Sequence, residues 1–84
     1  MRHARTDYDR IQDPAGQIPE DEPVFLIRAK DRVSGDAVRA WADLHEAAGG
    51  DPAMSRAARR HALRMDAWAE KQLADAPSDA LAAR

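Results

Sequence analysis

The stretch Gly49-Gly50-Asp51-Pro52 separates two amphipathic runs and decides how the rest of the chain is read. Glycine accepts the left-handed backbone just past a helix C-terminus. Aspartate takes up a free backbone N–H as N-cap, and proline at the first helical position lacks the N–H that would be orphaned there. Downstream, Met54, Ala58, His61, Met65, Trp68 and Gln72 recur at helical spacing, widened by Ala57, Ala62, Ala69 and Leu73. The opposite face carries Arg56, Arg59, Arg60, Arg64 and Lys71. This pattern predicts a helix over 52–75 that ends before Pro77. Upstream, Ala37, Val38, Trp41, Leu44, His45 and Ala48 share one face of a helix predicted over 35–48, with Ser34 as its N-cap. A turn from Gly49 to Asp51 between two such helices predicts an antiparallel helical hairpin. Trp41 and Trp68 are expected to bury against each other's helices along an alanine-rich seam.

Outward from the hairpin the signals weaken. Residues 23–31, Pro-Val-Phe-Leu-Ile-Arg-Ala-Lys-Asp, suit a buried strand by their apolar run, yet Asp21-Glu22-Pro23 is also a helix-start pattern. The reading favours a short helix or a helical turn here; as a strand, its one evident partner is Tyr8 to Gln12 across the turn Asp13-Pro14-Ala15-Gly16. Residues 1–22 form an extended acidic N-terminal arm, with Tyr8, Ile11 and Ile18 as anchors. The fold class expected is mainly α. The whole chain, 1–84, is read as a single small domain with a flexible arm at 1–17 and a frayed tail at 78–84.

Composition bounds the function. Of 84 residues, 44% are hydrophobic, but alanine supplies about half of those, so large core side chains are few. A core this poor in large side chains calls for a second copy or a partner to cover them. Net charge is −2, with 13 basic and 15 acidic residues, which argues against a generic nucleic-acid binder. The charge is uneven: the first 22 residues are acidic and the C-terminal half is mildly basic. There is no cysteine, hence no disulfide framework and no thiol nucleophile. The longest apolar run, Val24 to Ile27, is far too short to span a membrane, and Met1 to Asp7 has no apolar leader. The expected location is the cytoplasm of a bacterial host cell.

Candidate sites follow from residue type and spacing. Asp7-Tyr8-Asp9 opens like a calcium loop, but Ile11 and Gln12 stand where the pattern requires an oxygen ligand and a glycine. His45 and His61 fall on the inward faces of adjacent helices, yet two histidines without a fixed third ligand are more often interface residues than a metal site. No metal or cofactor is expected. The serines lack nucleophile context and the glycines form no phosphate loop, so no catalytic residue is assigned and the chain is not read as an enzyme. The Arg56, Arg59, Arg60, Arg64 and Lys71 stripe is the nucleic-acid candidate, since arginine forks pair well with phosphate. An ordinary solvated helix face, with Asp66 and Glu70 interleaved, is the commoner origin of such a stripe. In the arm, Asp13, Glu20, Asp21 and Glu22 are the candidate partner-binding residues, able to meet basic residues of a target.

The block Ile18-Pro19-Glu20-Asp21-Glu22-Pro23-Val24-Phe25-Leu26-Ile27-Arg28-Ala29-Lys30-Asp31, with Val38-Arg39-Ala40-Trp41-Ala42 and Met65-Asp66-Ala67-Trp68, carries a resemblance. It resembles short, mostly uncharacterised proteins encoded in phages and prophages of alphaproteobacteria, over residues 7–70. The resemblance implies provenance rather than chemistry. Small acidic phage proteins often act by binding host machinery, anti-CRISPR proteins among them. By that analogy the chain is expected to be a protein–protein interaction module that inhibits a host nucleic-acid-handling complex. A second copy of the chain is the other partner expected, as a homodimer. The alternatives are a DNA-binding regulator or packaging factor using the arginine face, and a virion or assembly component.

Overall fold

The computed structural model describes residues 2–8 and 12–76. The anchor Ile11, the acidic Asp9 and the tail from Pro77 onward lie outside the described residues. Four elements occur in chain order: β1 (Arg2–His3), β2 (Pro23–Val24), α1 (Ser34–Ala47) and α2 (Pro52–Asp66). The chain divides into two compact units. One holds the described residues of Met1–Leu26 and Asp75–Arg84, and the other is Ile27–Ala74.

In the first unit, β1 and β2 pair in parallel, Arg2 with Pro23 and His3 with Val24. The Arg2 N–H donates to the Glu22 carbonyl at 2.6 Å. Pro23 can stand here because a strand's first residue need not donate to the ladder. Residues 23–31 are therefore not the short helix expected. Their first two residues form a strand, and its partner is Arg2–His3 rather than Tyr8 to Gln12. The turn at Asp13 forms as its residues indicate: Gly16 has φ +62° and its N–H reaches the Asp13 carbonyl at 3.0 Å. Arg5 closes a two-pronged pair with Asp7, both contacts 2.8 Å, and lies over the Tyr8 ring.

The second unit is built on the two helices, which pack against each other. The boundary between them forms much as the residues dictate. Gly49 takes φ +86°; the Gly50 N–H donates to His45 O at 2.8 Å and the Gly49 N–H to Glu46 O at 2.9 Å, closing α1 with a Schellman motif. At the next residue the Asp51 side chain accepts from the Ala53 N–H at 2.9 Å, with Pro52 at the first helical position. Asp51→Ala is expected to lower stability by about 1 kcal/mol, read as a shift of the urea midpoint with unchanged slope.

The start of α1 and the end of α2 differ from expectation. Val33, with no side-chain cap, precedes α1; Ser34 is inside the helix and fully buried, its hydroxyl donating to Ala29 O at 3.4 Å. Helix α2 ends at Asp66, not at 75. Residues 67–74 instead return to the segment before α1: the Gln72 N–H donates to Lys30 O at 2.9 Å, and the Arg32 N–H donates to Gln72 O at 2.8 Å. Those two bonds form a parallel bridge of Asp31 with Gln72 that competes with helix continuation. Trp68 and Lys71 consequently leave the helical face on which their spacing placed them.

The seam between the helices is lined by small side chains. Ser34, Gly35, Ala42, Ser55, Ala58 and Ala62 are buried, and Met65, 7% exposed, is the one large apolar side chain buried among the described residues. Gly35 leaves room for the Asp66 carboxylate, which a Cβ there would displace together with the Arg39 guanidinium it meets. The tryptophans do not bury against each other's helices; Trp41 and Trp68 are each about half exposed.

Candidate functional site

The sequence-predicted arginine stripe separates into groups with different work. Arg59 points along the packed side of α2, donating to Glu46 Oε1 at 2.6 Å and Asp43 Oδ1 at 2.7 Å on α1. Arg39 makes the reciprocal contact from α1, reaching Asp66 Oδ2 and Asp36 Oδ1, both at 2.8 Å. Asp66 is thus spent across the helix pair and does not neutralise its own helix as the spacing suggested. Lys71 is a structural cation: its Nζ donates to Met65 O at 2.6 Å and Ala29 O at 2.7 Å, which ties the end of α2 to the segment before α1. Arg56, Arg60 and Arg64 remain exposed.

These pairs shift titration in a definite sense. The hydrogen bond from Arg59 holds the Glu46 carboxyl below its ordinary pKa, and that from Arg39 does the same for Asp66. Arg39 is raised by the hydrogen bonds it donates to Asp66 and Asp36, and Arg59 by those it donates to Glu46 and Asp43. A carboxyl with a lower pKa folded than unfolded binds fewer protons in the native state, so its stabilisation is present above the unfolded pKa and lost as pH falls through the folded one. Denaturant midpoints are therefore expected to fall on acidification below the ordinary carboxylate range. Asp66→Asn should flatten part of that decline; an unchanged pH profile would remove the Arg39–Asp66 pair as its cause.

The two histidines have different surroundings. His45 stacks on Trp41 of its own helix, ring centroids 4.7 Å apart and 16° from parallel. Its ring also lies against Gly50, where a Cβ would collide with it. His61 is exposed rather than on the buried face. No group of three or more metal-ligating side chains occurs among the described residues.

The acidic candidates are likewise sorted. Both Asp13 carboxylate oxygens accept backbone N–H groups, from Gln17 at 3.1 Å and Ile18 at 3.0 Å, so this side chain holds the loop. Glu20 and Asp21 are exposed at the tip of a turn closed by the Glu22 N–H on Pro19 O at 3.2 Å, and Glu22 is exposed beside them. In the same unit an open depression of about 420 Å³ is lined by Arg2, His3, Ala4, Pro23, Val24 and Phe25. Neither ring nitrogen of His3 has a hydrogen-bond partner, and both are shielded from solvent.

Sequence reasoning missed the apolar surface. On α1, Trp41 is 45% and Leu44 70% exposed, with Ala37 and Ala48 on the same helical stripe; on α2, Met54 is 50% exposed. The signal was present in the alanines, which allow helix backbones to approach closely and push larger neighbours outward. No helix is long and apolar enough to cross a membrane among the described residues. No protein-family model matches the chain, and no curated protein or solved structure is detectably similar to it.

Proposed function

We propose that the protein is a binding module that acts through a protein partner and performs no catalysis. The observation that carries this reading is the outward placement of its large apolar side chains. Trp41, Leu44 and Met54 lie open to solvent on the helices while the seam between them is closed mainly by alanine and serine. Neighbouring exposed apolar side chains on one helical stripe are a usual mark of a partner surface. In this reading α1 and α2 run antiparallel, as supported by the pairing of Arg39 with Asp66 and of Arg59 with Asp43 and Glu46.

The partner class in this proposal is a basic, nucleic-acid-handling host complex that the module inhibits, in keeping with the phage-like sequence block. Its support is the exposed turn bearing Glu20, Asp21 and Glu22, three carboxylates in sequence. The module would act in the cytoplasm of the bacterial host. Capture of the partner from alphaproteobacterial lysate is the direct test. Reversing all three acids to lysine should reduce capture steeply and remove its salt dependence. Trp41→Ala with Leu44→Ala should reduce capture without loss of helix signal. Unchanged capture by the charge-reversed protein would sink the acidic half of the proposal, and unchanged capture by the Trp41/Leu44 variant would sink the apolar half.

A further inference from the structure

The two helices carry opposite charge. Helix α1 has Asp36, Asp43 and Glu46 against Arg39, whereas α2 has four arginines against Asp66. Packing consumes the acids of both helices: Asp36 and Asp66 on Arg39, Asp43 and Glu46 on Arg59. Arg56, Arg60 and Arg64 are left on the side of α2 away from Ser55, Ala58, Ala62 and Met65. Each is exposed, and none of their side chains has a hydrogen bond or an ion pair among the described residues. Glu46 lies near enough to feel Arg56, but its carboxylate is bonded to Arg59. The remaining residues of this outer face are Ala53, Ala57 and Leu63, so no carboxylate interrupts the row.

We infer that Arg56, Arg60 and Arg64 form a phosphate-tracking surface for a nucleic-acid backbone. The three guanidinium groups sit four residues apart, about 6 Å of helical rise per step. Each step of four residues also turns about 40° around the helix axis, so the row winds gently. Planar forks repeating at a constant interval along such a row suit an anion that itself repeats along a helical path, and the arginine fork matches phosphate bidentately. An acidic protein surface has no such obligatory period. The acidic balance of the whole chain does not oppose this, because the acids of α1 and α2 are already paired and the surface is read locally at physiological salt. This face lies apart from the exposed apolar stripe on α1, so it does not depend on the protein-binding proposal.

The test is fluorescence anisotropy of the full chain with labelled duplex and labelled single-stranded DNA across a salt series. Three phosphate contacts predict that a fourfold rise in salt weakens binding about 40-fold on duplex and about 20-fold on single strand. Each slope gives the number of phosphates engaged, and the form bound more tightly at low salt is the preferred substrate. Arg56→Gln with Arg60→Gln and Arg64→Gln should abolish binding. Arg60→Gln alone, which keeps the helix even if the triple variant does not, should reduce the salt slope by about one phosphate contact. Arg59→Gln and Lys71→Gln should leave the slope unchanged, since those cations are already committed within the fold. The inference is overturned by no binding at low salt, by a slope that survives the triple variant, or by an equal loss in Arg59→Gln. Poly-glutamate that binds as tightly as DNA would overturn it too.

Discussion

Met65→Ala is expected to destabilise the protein by about 2–4 kcal/mol, more than any other single truncation to alanine. Met65 is the sole large apolar side chain packed inside among the described residues, next to Ala58 and Ala62 on the same helical face. Its removal leaves a cavity that a seam of alanines cannot refill, because those neighbours have no side-chain freedom to move inward. Leu44 and Leu63 look equally important by hydrophobicity but are 70% and 65% exposed. Truncating either should change stability by no more than about 0.5 kcal/mol. Urea denaturation of the three variants separates the possibilities, and a Leu44→Ala cost comparable to that of Met65→Ala would contradict the described burial. Such a result would also place Leu44 in a core rather than on the binding surface proposed for it.

Enlarging the seam is expected to be nearly as damaging. Ala42 and Ala62 are fully buried between the helices, so Ala62→Leu must either separate the pair or displace its ion-paired flank. Overpacking of this kind costs about 1–3 kcal/mol. Separation would also lengthen the contacts of Arg39 with Asp66 and of Arg59 with Glu46. Ala53→Leu is the matched comparison: it makes the same chemical change on the same helix at an exposed position, and the two residues have similar helix propensity. It should be close to neutral in the same denaturation experiment. Equal effects at the two positions would mean that the helices are not held at alanine distance.

How much of this was legible beforehand depends on the range over which each signal acts. The helix boundary at Gly49 to Pro52 was readable because each residue there acts on its own backbone: Gly49 through its φ, Asp51 through an N–H two residues on, Pro52 through a missing donor. The far end of α2 was not. Trp68 to Lys71 contains no helix breaker, and the continuation is stopped by partners distant in sequence. Gln72 bonds to Lys30 and Arg32, and Lys71 bonds to Ala29 and to the carbonyl of Met65. The site residues divide in the same way. Arginines at helical spacing could be seen as a stripe, but which of them were already paired depended on α1 supplying Asp43 and Glu46 opposite Arg59.

By itself, then, the chain determined two amphipathic helices and the turn between them, because periodicity and capping are local. It also determined that large apolar side chains would be scarce, because alanine dominates its hydrophobic content. Only the tertiary structure decided which face of each helix was buried. The smallest residues set the seam, since close approach of two backbones gains more contact than a wider gap filled by scattered large side chains. That choice turned Trp41 and Leu44 outward and left Arg56, Arg60 and Arg64 without a carboxylate ion pair among the described residues.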